Sequence, residues 1–225
     1  MTTMASSDDK KRPRTSRSIP NFTSLVGSPT KLSQHPSLTS CGEAVMTKRD
    51  LDLYLSAGEI LPTSTSWRVE DGYLWLSSWE EGQSTTLGIW GPGDLVIPSV
   101  FTHQQVQLTC LSAVQVEQTR FSSEDHQAFV DGQLIQLACL LQNARIRQAE
   151  ERLFSFLLWI GKRFGRVSSH GVSLSFRDMN LTHRNLAEMT GMTRVTVTKA
   201  LMRFRQEHRL RKQGDDELLC IRADR

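Results

Sequence analysis

The chain has 225 residues, room for one sizeable core or two modest ones, and its four scattered cysteines (Cys41, Cys110, Cys139, Cys220) lack the spacing of a zinc site or a disulfide framework. The formal charge of +3 is unevenly spread: residues 1–20 hold five basic and two acidic groups, residues 21–148 seven and thirteen, residues 149–225 fifteen and nine, so only the C-terminal end favours a polyanionic partner. No apolar stretch is long enough to span a bilayer and none follows the basic residues near the N-terminus, which predicts a soluble, unprocessed protein with no membrane partner, while the scattered cysteines fit a reduced cytoplasm and predict no metal.

Residues 1–47 mix Ser, Thr, Pro and Gly with few large apolar side chains, the composition of a disordered polar tail. Its run KKRPRTSR reads first as solvated surface, with contact to DNA phosphates as the second reading. Residues 48–121 alternate short β-prone runs with turn signals at Asp71-Gly72 and Gly91-Pro92-Gly93, which predicts a small antiparallel sandwich or barrel. The strands are too many and too short for a nucleotide-binding αβ unit.

A helix follows over 122–148, with Ser122 or Ser123 as its cap and Glu124 and Asp125 in the favourable first turn. Leu134, Leu137, Ala138, Leu141 and Arg145 recur three and four residues apart on it, with Leu140 broadening the stripe. Such a stripe packs either on its own domain or, when it follows a complete sheet domain, against a second copy of itself. A further stripe, Leu153, Phe156, Leu157, Ile160 and Phe164, opens the last segment, 149–225.

Within LTHRNLAEMTGMTRVTVTKALMRFRQEHRL, Thr182 can cap a helix ending near Gly191 and Thr193 can cap the next, the helix-turn-helix spacing. Leu186, Met189, Met192, Val197 and Leu201 would lock the pair, leaving Arg194, Val195, Thr196, Thr198, Lys199 and Arg203 away from the packed face. The B-DNA major groove, about 12 Å wide, admits one such helix. Arg194 in its first turn is placed to donate two bonds to a guanine, Lys199 to reach a neighbouring guanine or a phosphate, and the Val195 methyls suit a thymine methyl. Thr182, His183, Thr193 and Thr196 sit at helix starts where free backbone N–H groups also grip phosphate, and Thr198 and Arg203 complete the expected phosphate contacts. The following RLRKQGDDELLCI reads as a hairpin bent at Gly214-Asp215, a wing.

ERLFSFLLWIGKRFG, LTHRNLAEMTGMTRVTVTKAL and the wing, together with YLSAGEILP and IWGPGDLVIP, resemble the cyclic-AMP receptor and fumarate-nitrate regulator superfamily of bacterial transcription factors, most of all the cyanobacterial global nitrogen regulator branch. The resemblance spans roughly residues 50–222 and is most specific from 149 onward. It implies an α+β chain: an N-terminal antiparallel β-roll, a long dimerisation helix and a C-terminal winged helix-turn-helix. The family's recognition arginine falls on Arg194 and its second base-contacting basic position on Lys199, where the nitrogen branch usually has Arg. Val195 matches that branch's valine. The resemblance as a whole implies a homodimer that reads a GTA–TAC palindrome and acts on RNA polymerase.

The sensor half departs from the pattern. Family members that bind cyclic nucleotides place an arginine beside the phosphate, whereas LVIPSVFTHQQVQLTCLSAVQV has neither Arg nor Lys. A buried anion without a cation is costly, which weighs against cyclic nucleotides and against 2-oxoglutarate, the nitrogen branch's effector, unless Arg145 or Arg147 substitutes. The cysteine cluster of iron–sulfur members is missing too, so no cofactor is expected, and a small-molecule effector is unidentified or absent. Catalysis is excluded as the function class, since HExxH, GxSxG and a glycine-rich phosphate loop are all missing and His103, His126 and His170 stand alone. The competing expectation is a protein-interaction module whose effector domain is degenerate and whose DNA binding is weak or partner-dependent.

Overall fold

Alternation and turn residues between Leu51 and Gln118 produce eight short strands: β1 (Asp52–Leu55), β2 (Ile60–Leu61), β3 (Trp67–Asp71), β4 (Leu74–Glu80), β5 (Gln83–Trp90), β6 (Leu95–Val96), β7 (Val106–Cys110) and β8 (Val114–Gln118). The computed structural model describes residues 51–80, 82–101, 105–214 and 216–220, all within one compact unit, Thr47–Arg225. The expectations for the tail (1–47), its KKRPRTSR run, Cys41, His103 and Asp215 lie outside the described residues.

The strands form two antiparallel four-stranded sheets, ordered β1-β8-β3-β6 and β2-β7-β4-β5. Period-two alternation turns Trp67 and Val69 of β3 and Val114 and Val116 of β8 inward, where they meet Leu74, Leu76, Val96 and Leu108 in one buried cluster. The result is the expected roll-like domain. Burial pushes the Cys110 thiol in this core up to about 11, with Glu59 adding to the shift.

Helix α1 (Ser123–Ala144) starts at Ser122, whose Oγ accepts from the Asp125 N–H at 3.1 Å while the Ser122 N–H donates to the Asp125 carboxylate at 2.9 Å. These bonds hold the Asp125 carboxyl below its ordinary range. The sequence predicts helix through residue 148, but α1 ends at Ala144 and α2 (Ala149–Phe164) starts anew. The two helices bury different sides. Phe129, Gln133 and Gln136 of α1 face the roll, whereas Leu153, Phe156, Leu157 and Ile160 of α2 face the C-terminal core. Continued at 3.6 residues per turn, the second face would lie roughly 130° from the first, so one straight helix could not bury both.

Beyond α2 come β9 (Arg166–Ser168), β10 (Gly171–Leu174), α3 (His183–Thr190), α4 (Arg194–Gln206), β11 (Leu210–Gln213) and β12 (Asp216–Leu219). The predicted wing is β11 and β12, but it belongs to a sheet ordered β11-β12-β10-β9. The sequence reading omits β9 and β10, although RVSSHGVSL carries their signal: a two-sided alternation with His170-Gly171 at the bend. Among the described residues no helix is long and apolar enough to cross a membrane, and no group of three or more His, Cys, Asp or Glu could hold a metal ion.

Candidate nucleic-acid interface

Two threonine caps set up the helix pair. Thr182 Oγ1 accepts from the Asn185 N–H and Thr193 Oγ1 from the Thr196 N–H, each at 3.1 Å, satisfying donors that a helix start leaves open. Between them Gly191 closes α3 at φ +64, a left-handed conformation that costs glycine little. Leu186, Ala187 and Met189 of α3 and Val197, Ala200, Leu201 and Phe204 of α4 are buried together, with Met192 partly buried against them. His183 Nδ1 and Thr198 Oγ1, 2.9 Å apart, tie the two helices on the polar side.

That packing leaves one side of α4 open. Arg194, Val195 and Lys199 are exposed, Val195 to 62%, and Met202 joins them at 55%. Met202 is absent from the sequence expectation; its signal is a large apolar residue off the buried stripe, three positions after Lys199. Thr182 and Thr193 are exposed, while His183, Thr196 and Thr198 are half-buried. The Thr196 hydroxyl pairs with that of Thr193 at 2.8 Å, and Thr198 Oγ1 also donates to the Arg194 carbonyl at 2.9 Å. These hydroxyls thus shape the helix starts from within.

Arg203 is placed differently from the rest. Its Nη1 donates to both carboxylate oxygens of Glu150 at 2.6 and 2.7 Å, fastening α4 to the first turn of α2. The bond raises the already high Arg203 pKa, so the guanidinium stays charged. Arg205 pairs with Glu217 at 2.7 Å, and Arg209, just past α4, pairs with Glu151 through two bonds of 2.6 and 3.0 Å while lying 3.9 Å from the Phe154 ring centre. Of the four cations on α4, therefore, only Arg194 and Lys199 have no carboxylate partner among the described residues. The structure separates the basic residues that build the domain from those that face outward.

On α1 the predicted stripe divides. Leu134, Ala138, Leu141 and Arg145 are exposed, Leu134 and Leu141 by 60% and 65%, with Ile135 beside them at 55%; Leu137 is half-buried against the roll. The face toward the roll is partly polar, which apolar periodicity could not reveal: Gln133 Nε2 donates to the Leu87 carbonyl at 2.6 Å, and the Ile89 N–H donates to Gln136 Oε1 at 3.1 Å. Trp90 stacks on Phe129 beside them. Arg145 and Arg147 are exposed past the end of α1.

Residues 151–223 match the Crp-like helix-turn-helix domain family. The regulatory protein CysR of Synechococcus elongatus is 38% identical over 167 residues, which cover 72% of this chain and 80% of the relative. The global nitrogen regulator of the same organism is 34% identical over 77 residues, covering 34% of this chain and 33% of its own length. In three dimensions the chain is similar to FixK2 from Bradyrhizobium japonicum (TM-score 0.61, 16% identity, covering 77% of this chain and 93% of that one). It is also similar to a CooA mutant from Carboxydothermus hydrogenoformans (TM-score 0.55, 22% identity, 80% and 88% covered). At those identities the structural likeness is one of fold, whereas the CysR match spans most of both chains. The chain belongs to the CRP/FNR superfamily of DNA-binding transcriptional regulators.

Proposed function

We propose that this protein reads a palindromic DNA site as a homodimer and does so without a cyclic nucleotide. The observation that carries the proposal is the exposed face of α4, where Arg194 and Lys199, the helix's two cations without a carboxylate partner among the described residues, flank Val195. Arg194 and Lys199 with Val195 make the base contacts. Thr182, His183, Thr193, Thr196 and Thr198 line the phosphate side, with Arg203 acting there from its Glu150 anchor. The exposed stripe Leu134, Ala138 and Leu141, edged by Leu137 and Arg145, takes a second copy of α1. A two-fold dimer then holds its recognition helices ~34 Å apart, one turn of the duplex, and each half reads the same sequence. Once bound, the dimer acts on RNA polymerase.

Selection from a random duplex pool at about 0.15 M salt, where non-specific binding is already suppressed, tests this reading. Enrichment of a two-fold palindrome is the expected result, with Arg194, Val195 and Lys199 defining its half-site. A folded protein that enriches no sequence would overturn it in favour of the interaction-module reading.

A further inference from the structure

Helix α3 leaves its last carbonyls without partners of its own, as every helix does. At its C-terminus the N–H groups of both Gly191 and Met192 turn back to the Ala187 carbonyl, so neither serves Met189. The Met189 carbonyl is met from outside the helix-turn-helix: Thr86 Oγ1, on β5 of the roll, lies 3.1 Å from it. Trp75 Nε1, on β4, lies 3.1 Å from the same hydroxyl. An indole N–H can only donate and a hydroxyl has one proton, so the direction is fixed: Trp75 gives to Thr86, and Thr86 gives to Met189. All three residues are buried, with Thr86 at 7%, Trp75 at 5% and Met189 at 6% exposure. A fully satisfied chain of this kind, shut away from water, favours one arrangement over others.

The surroundings reinforce it. Trp75, Ile89 and Leu111 of the roll share a buried cluster with Leu186, Met189 and Val197 of the helix-turn-helix. Two more polar clasps lie on other elements. Asp94 Oδ2 accepts from Arg163 Nη2 at 2.9 Å at the end of α2, and Asn180 Nδ2 donates to the Leu111 carbonyl at 2.8 Å just before α3. Near the first clasp, Gly91 lets Tyr73 and Phe164 close over the backbone, since a Cβ there would meet both rings at 2.9 Å. Domains joined by a small polar seam move; domains joined through a continuous apolar core do not. In this fixed arrangement the Arg194, Val195 and Lys199 side of α4 is open.

We propose that Thr86 and Trp75 are positioning residues for DNA reading: the roll caps α3 and so mounts the recognition helix in its outward orientation with no effector required. The inference rests on the dimer reading above, because a rigid mount matters most when two recognition helices must keep one spacing.

The test uses the full chain with Thr86→Val, which keeps the shape and removes the hydroxyl, beside Thr86→Ser, which restores it. Affinity is measured for the selected palindrome and for the same site with one base pair inserted between its halves. The expected result is that Thr86→Val, still folded by circular dichroism, loses several-fold of the discrimination between the two sites, while Thr86→Ser keeps it. Hydrogen exchange supplies an independent reading: the Gly191 and Met192 amides should exchange faster in Thr86→Val. Unchanged discrimination by Thr86→Val in a protein whose wild type discriminates would overturn the positioning role and leave the dimer reading standing. A wild type indifferent to spacing would overturn the dimer reading instead, and the exchange rates would then decide the cap, with no change in Thr86→Val counting against it.

Discussion

Arg194 occupies the first residue of α4, exposed and without a carboxylate partner among the described residues, whereas Arg203 nine positions later is held by Glu150. A guanidinium at a groove-facing helix start can place two donors on guanine O6 and N7, a fork that matches only that base edge. Arg194→Ala is therefore expected to cost about 1–3 kcal/mol of discrimination at one base pair in each half-site, with little loss on unrelated DNA. Competition binding against single-base variants measures it, and an equal loss on every sequence would remove Arg194 from base reading. This part of the site was legible because caps, glycine turn and polar face are local in sequence. The Arg203–Glu150 pair was not, since its partners are 53 residues apart and only the packing of α4 on α2 brings them together.

At the scale of elements, helix α1 shows what apolar periodicity can and cannot give. It marked Leu134, Ala138 and Leu141, which the structure leaves facing outward. It missed the face that meets the roll, because Gln133 and Gln136 are buried there by bonds to the β5 backbone rather than by hydrophobicity. It also ran α1 on to residue 148, since nothing in the pattern announces that the next helix must turn to bury a different side. The outward leucines carry a direct prediction. Burying each fully against a partner contributes roughly 1.5–3 kcal/mol, and an aspartate at the same place would have to be desolvated instead. Leu141→Asp should convert the proposed dimer to a monomer of half the mass in sedimentation, with the protomer still folded because the side chain is 65% exposed within it, and with a melting temperature that no longer rises with protein concentration. Retention of the dimer mass would move the interface elsewhere.

Over the whole molecule, the proposed mount makes the roll a structural support in place of an effector site. A cyclic nucleotide bound inside it would need a cation for its phosphate, and residues 95–116 contain no Arg or Lys. Arg145 and Arg147, the substitutes the sequence offered, are exposed past the end of α1. The inner face of α1 is also occupied: Phe129 stacks on Trp90, and Gln133 and Gln136 bond to β5, so a ligand there would have to break two buried hydrogen bonds before making any of its own. Broken buried bonds of this kind cost ~1–3 kcal/mol for each group left unsatisfied, and a phosphate without a cation adds more. Cyclic AMP is accordingly expected to give no binding heat in titration calorimetry and no change in affinity for the palindrome, with DNA binding already complete in the protein alone. Micromolar binding, or DNA affinity that rises with the nucleotide, would mean that α1 can leave β5, and the roll would then be a sensor whose closed state is the one described by this structure.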